Sequence, residues 1–172
     1  MSFVAIALGA NMGDRLYNIN LAMYYLKKYL FINEIMLSSI YESRALLIPG
    51  SPVEWNLNYY NMVIAGECNA NPYRVLELLK TIEQELGRFE SSKYAPRPID
   101  LDLLFYDNLI IDEQNLCIPH KEMLKRDFVM IPLSEIMPNL NLKFYTENDL
   151  TIKELLKCTT VKSVIKQIEI KI

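Results

Sequence analysis

Basic charge is in short supply in this chain. Its 18 Lys and Arg residues stand against 21 Asp and Glu, a net charge of −3. That balance argues against nucleic acid as a partner, so any anion site must be a local basic cluster. Cysteine is scarce too: Cys68, Cys117 and Cys158 are odd in number, scattered, and without metal-ligand spacing. They read as reduced thiols of a cytoplasmic protein, not as a disulfide framework. Long apolar runs are missing. The first, residues 3–8, is too short for a signal or membrane segment and has no basic flank, which argues against a membrane partner. No repeat, low-complexity tract or Gly/Ser linker divides the 172 residues, so residues 1–172 are expected to form one domain with its own core.

What is present has a clear order. Residues 3–8 form a continuous apolar run, as for a central strand buried on both faces. Gly9 to Gly13 turns the chain and Asp14 can cap a helix, whose apolar residues Leu16, Ile19, Met23, Leu26 and Leu30 recur at intervals of three and four. Strands are expected over about 35–43 and 59–67. Asn71 and Pro72 open a second helix with a Val75, Leu79, Ile82, Leu86 stripe, and Gly87 ends it. A strand follows around residue 100. The order β-α-β-β-α-β predicts an α+β, ferredoxin-like antiparallel sheet with both helices on one face and the other face free for ligands. A short extended pair near 109–118 and extra C-terminal helices near 127–136 and 150–158 complete the pattern. Residues 161–172 fit helix or strand. Two long loops, about 44–57 and 88–98, suit functional lids, and the first suits a tolerated surface insertion equally well.

The last of these strands reads Ile99-Asp100-Leu101-Asp102-Leu103-Leu104-Phe105. Residues i and i+2 of a strand share a face, roughly 6.5–7 Å apart. Strict alternation sets Ile99, Leu101, Leu103 and Phe105 on one face and Asp100 with Asp102 on the other. Two adjacent carboxylates repel each other unless a cation joins them, and hard oxygens in small number suit Mg2+ completed by substrate phosphates. Arg97 lies three residues upstream with a fork that fits phosphate. Taken alone, D-x-D is more often a solvated acidic edge.

The surroundings resolve that ambiguity. Gly9-Ala10-Asn11-Met12-Gly13-Asp14-Arg15, Tyr59-Tyr60-Asn61, Ile82-Glu83 followed by Gly87-Arg88, Pro96-Arg97-Pro98-Ile99-Asp100-Leu101-Asp102, Pro119-His120 and Arg126-Asp127-Phe128 occur in this order over residues 5 to 138. Together they resemble the 6-hydroxymethyl-7,8-dihydropterin pyrophosphokinase family of folate biosynthesis. The resemblance implies transfer of pyrophosphate from ATP to the hydroxymethyl group of 6-hydroxymethyl-7,8-dihydropterin, with two Mg2+ ions on Asp100 and Asp102. It implies that Arg88 and Arg97 act at the reacting phosphates, and that His120, Lys121 and Arg126 meet the nucleotide. Leu103, Leu116 and Cys117 fall where the family forms its adenine pocket. Tyr59 and Phe128 match the residues that stack on the pterin, Asn61 the one that reads its edge, and Ser43 and Tyr94 further substrate contacts. Glu83 is expected to be structural or to support the residues that meet substrate. The resemblance also makes fusion or docking to other folate-pathway enzymes an expected partnership. The competing reading is a ferredoxin-like binding module without catalytic activity.

The chain departs from the family in several places. Tyr94 and Ala95 stand where many members have tryptophan and glycine. The lid segment Phe89-Glu90-Ser91-Ser92-Lys93 is less basic than usual, with Lys93 its one added cation. Ser43-Arg44-Ala45-Leu46-Leu47 replaces a T-x-P-x-G pattern, and Lys121 replaces an aromatic residue.

Overall fold

The structure, a computed structural model, describes residues 1–89, 94–143, 145–146 and 149–169. Strand β1 (Ser2–Ala10) leads into helix α1 (Arg15–Tyr29), then β2 (Phe31–Leu37), β3 (Ile40–Ser43), β4 (Tyr59–Cys68), α2 (Pro72–Glu85) and β5 (Asp100–Tyr106). A short hairpin follows, β6 (Ile111–Asp112) with β7 (Cys117–Ile118), then α3 (Asp127–Ile136), α4 (Ile152–Leu155) and β8 (Val164–Ile168). The main sheet runs β5-β1-β4-β3-β8, with β2 also on β4, and every pairing is antiparallel. This is the expected ferredoxin-like arrangement with additions at its C-terminal end. Among the described residues no helix is long and apolar enough to cross a membrane.

The caps act where the sequence places them. The Asp14 side chain accepts from Tyr17 N–H, and Asn71 accepts from Arg74 N–H with Pro72 in the first turn. Helices α1 and α2 set Ile19, Leu26, Val75, Leu79 and Ile82 against Val4, Ile6, Leu8, Ile64, Leu101 and Leu103 of the sheet. This first core fixes which face of each strand is left for chemistry.

Three local expectations change, and one left open is decided. The strand expected over 35–43 is two strands, both on β4. Ser38 breaks the run: its N–H donates to Val63 O while its hydroxyl accepts from Val63 N–H, so a side chain replaces a ladder bond. The alternation of β5 fails at its end. The β1–β5 register shifts between Ala5 and Ile6, so that Leu104 and Phe105 both join the far face while Tyr106 returns to the helix face. That far face is only half free. A second core packs Leu104, Phe105, Ala5, Val63 and Ala65 against Met130, Leu133 and Ile152 of α3 and α4, leaving one end of the face uncovered. Lastly, the C-terminal segment is strand over Val164–Ile168. Of the lid segment, Lys93 and the rest of residues 90–93 lie outside the described residues.

Candidate active site

Gly9 and Ala7, on β1 between β5 and β4, form the floor at the uncovered end. Gly9 pairs with Asn61 of β4 on one side and Asp100 of β5 on the other, and Ala7 pairs with Asp102. Strands lie about 4.8 Å apart, so Asn61 and Asp100 stand roughly 10 Å apart across the glycine. Over this floor is a cavity of about 270 Å³. Acidic and basic side chains line one side, and amide and aromatic groups line the other.

The charged side is built on Glu83. This residue of α2 is 2% exposed, and its carboxylate accepts from Leu101 N–H at 2.8 Å and from Lys80 Nζ at 2.8 Å, and pairs with Arg88. One buried group thus ties the end of α2 to the start of β5. Gly87, at φ +86°, reverses the chain after the helix, and Arg88 N–H returns to Glu83 O at 2.9 Å. Arg88 Nη1 then bridges Glu83 and Asp100. Burial opposes the arginine's charge, but the Asp100 and Glu83 carboxylates outweigh it and hold Arg88 firmly protonated. Asp100 also accepts from Arg97 Nη1 at 3.3 Å. Arg97 is fixed in turn by Asn11, whose side chain accepts Arg97 N–H at 2.8 Å and whose own N–H donates to Arg97 O at 3.3 Å. Hence the opening G-x-N segment positions a residue 86 places along the chain.

Asp102 occupies the next position on the same face. Enclosure by the cavity walls and the neighbouring Asp100 charge push its carboxyl up from the ordinary carboxylate range, although 36% of its side chain is accessible. His120 Nε2 lies 3.9 Å from it. His120 N–H donates to Leu104 O at 2.8 Å, and its Nδ1 accepts Glu122 N–H at 3.3 Å. That second bond assigns the ring proton of the neutral form to Nε2, facing the carboxylates. Arg126 borders the same space, its guanidinium 5.7 Å from the Phe128 ring centre.

On the other side, Asn61 is 5% exposed and its amide donates to Ser43 Oγ at 2.9 Å and Tyr41 O at 3.3 Å. Its Oδ1 faces Gly9. Tyr59, Phe128 and Tyr94 line the cavity beside it, and Tyr94 holds φ +74°, a sparsely populated backbone state of the kind that concentrates at functional sites. Burial pushes the Tyr59 hydroxyl up, so it stays a neutral aromatic group.

The cavity therefore brings together Arg88, Arg97, Asp100, Asp102, His120, Arg126, Ser43, Tyr59, Asn61, Tyr94 and Phe128. It does not include Leu103, Leu116, Cys117 or Lys121. Leu103 and Leu116 are buried in the first core on the helix face of the sheet. Cys117 Sγ lies 3.2 Å from Glu113 O, and Lys121 pairs with Asp112 at 2.9 Å on the surface. Sequence reasoning missed Lys80 and Val129, and it read the Arg44–Leu46 wall only as a departure from the family pattern; all of these line the space. A lysine on an amphipathic helix carries no signal separating it from an ordinary surface residue.

Fold and site together define an α+β protein with a two-part cavity: hard carboxylates ringed by arginines beside an amide flanked by aromatic residues. The 7,8-dihydro-6-hydroxymethylpterin-pyrophosphokinase family model matches residues 5–138, and the chain belongs to that family. It is 37% identical over 144 residues to the 2-amino-4-hydroxy-6-hydroxymethyldihydropteridine pyrophosphokinase of Aquifex aeolicus, covering 81% of this chain and 83% of that one. It is 40% identical over 139 residues to the folate synthesis bifunctional protein of Chlamydia trachomatis; the match takes in 80% of this chain but only 31% of the length of that relative. Among solved structures, wild-type Plasmodium falciparum HPPK-DHPS shares the fold at a TM-score of 0.67 and 16% identity, over 91% of this chain and 44% of that one.

Proposed function

We propose that this chain transfers the pyrophosphoryl group of ATP to the hydroxymethyl oxygen of 6-hydroxymethyl-7,8-dihydropterin, releasing AMP, as a step in tetrahydrofolate biosynthesis. The observation that carries this reading is the division of one cavity by Gly9 into a carboxylate–arginine side and an Asn61 side. The pterin lies against Asn61, whose carbonyl reads its edge, with Tyr59 and Phe128 at its faces. ATP phosphates lie against Arg88, Arg97, Arg126 and His120, which neutralise charge and hold the β-phosphorus in line with the pterin hydroxyl. Transfer of this type depends mainly on positioning and electrostatics.

Asp100 and Asp102 would hold Mg2+, two ions by analogy with two-metal phosphoryl-transfer sites. The donor set fits: two hard carboxylates on one strand face, with Asp102 raised by enclosure and by its like-charged neighbour, and accessible from the cavity. When bound, the ions neutralise triphosphate charge. Adenine would use the Leu103, Leu116 and Cys117 region through backbone groups, with Lys121 at its border. The 172 residues would act as one pyrophosphokinase unit that works fused or docked to other folate enzymes.

The test is AMP release from ATP and Mg2+, with and without the dihydropterin. Pterin-dependent AMP formation supports the reading. Absence of AMP, or AMP formed at the same rate without pterin, overturns it.

A further inference from the structure

The C-terminal strand lies beyond residue 138, yet it touches both walls of the amide side of the cavity. Its entry residues are held by Asp127, a carboxylate 4% exposed at the first turn of α3. Asp127 Oδ2 accepts Ser163 N–H at 2.7 Å and Val164 N–H at 3.0 Å, and its Oδ1 accepts the Ser163 hydroxyl at 2.8 Å. Around it, Asp127 N–H donates to Val161 O at 3.2 Å and Val161 N–H donates to Lys125 O at 2.8 Å. The same entry residues reach the opposite wall. Ser163 O accepts Arg44 N–H at 3.0 Å, and Val164 pairs with Ser43, whose hydroxyl holds the Asn61 amide. Asp127 itself is not among the cavity-lining residues, but its two sequence neighbours, Arg126 and Phe128, are.

We propose that Asp127 is a positioning residue for the pterin slot: through Ser163 and Val164 it sets the distance between the Ser43–Asn61 wall and the Phe128 wall. The inference rests on the proposed function, in which the pterin occupies that slot. Three bonds to one buried carboxylate, two of them from backbone N–H groups, make a short and stiff link. The walls it joins come from β3 and α3, and a flat heterocycle tolerates little error in the gap between them. On the ATP side, Arg88 and Arg97 are anchored separately, through Glu83 and Asn11, and of the phosphate-facing arginines only Arg126, bridged to Val161, shares this link, so loosening it acts on the pterin more than on ATP.

Chemistry supplies a conservative control. In Asp127→Asn, Oδ1 can keep both backbone N–H bonds while Nδ2 donates to Ser163 Oγ, since a hydroxyl can reverse its role. The experiment compares KM for pterin and for ATP in wild type, Asp127→Asn, Asp127→Ala and Ser163→Ala. Asp127→Ala is expected to raise the pterin KM about tenfold and the ATP KM less than threefold, with Asp127→Asn within twofold of wild type. Ser163→Ala removes one bond and spares the backbone pair, so it keeps the test open if Asp127→Ala does not fold; about a threefold rise in pterin KM is expected, with the ATP KM unchanged. Equal rises in both KM values, or an unchanged pterin KM in every folded variant, overturn the inference. A wild type without pterin-dependent turnover overturns the proposed function, and this inference with it.

Discussion

Asn61 and Asp100 face each other across Gly9, each the direct cross-strand partner of that glycine. A Cβ at this position would lie 3.5 Å from Asn61 Oδ1, 3.6 Å from Tyr59 Cδ1 and 4.0 Å from Asp100 Cβ. The opening glycine thus keeps the floor low between the two halves of the site, and it makes the first prediction sharp. Gly9→Ala introduces only ordinary contacts and folds, whereas Gly9→Val fills the floor with two further methyl groups. Melting temperature is expected to hold or rise in both, because an extended backbone loses less entropy without glycine. Turnover falls modestly for alanine and by orders of magnitude for valine. Normal turnover in a folded Gly9→Val protein would show that the floor is not used.

The two aspartates are expected to separate in stability, although the proposed function gives both the same role in turnover. Asp102→Asn removes a carboxylate whose ionised form is disfavoured in the fold by enclosure and by Asp100. A carboxyl raised in the folded state costs stability as pH climbs from the unfolded value, about 3.9, through the folded one, and costs nothing below both. Without Mg2+, the Asp102→Asn variant should therefore melt above wild type at neutral pH, with the difference shrinking towards zero as pH drops below the ordinary carboxylate range. Thermal scans across pH read this directly, and a difference that grows on acidification would reverse the sign.

Asp100→Ala behaves otherwise. Relief of like charge alone predicts equal or greater stability, but Asp100 also accepts from Arg88 and Arg97. Its removal leaves Arg97 without that carboxylate and Arg88 with Glu83. A lower melting temperature is expected, together with loss of turnover by orders of magnitude. Near-normal turnover in either aspartate variant would end their assignment as metal ligands.

Glu83→Gln tests the scaffold under the charged side. Breaking a buried ion pair from one partner costs about 3–5 kcal/mol, and here the carboxylate serves Lys80, Arg88 and Leu101 N–H together. Chemical denaturation should show a loss of that order, and ATP affinity should fall with it because Arg88 loses its anchor. A change under about 1 kcal/mol, the scale of exposed pairs, would mean that the network is not cooperative.

Asn61→Ala is expected to weaken pterin binding by about 1–3 kcal/mol, the cost of hydrogen bonds lost to a buried heterocycle, and to leave ATP binding nearly unchanged. Calorimetry with each ligand alone separates the two. Equal losses would place Asn61 in the framework through its bond to Ser43.

Much of this was legible in the chain. Helix ends were readable because Asp14, Asn71 and Gly87 act within four residues of themselves, through caps and a left-handed turn. The opposite faces of Leu101 and Asp102 followed from strand periodicity. The residues gathered in the cavity were readable through the family pattern, which also placed Leu103 and Leu116 in a site whose cavity they do not line. Periodicity could not reveal the bulge that turns Phe105 to the far face, because a bulge depends on the register with β1.

By itself, then, the sequence determined the local elements, the acid pair and the family, since each depends on side chains a few residues apart or on an ordered set of motifs. Tertiary structure alone decided that Asn11 grips Arg97, that Glu83 joins Arg88 to β5, that α3 and α4 cover half of the free face, and that the C-terminal segment is a strand tied to Asp127. Each of these is a contact between distant parts of the chain, set by which buried polar group finds a partner once the cores have packed, and no local pattern encodes that choice.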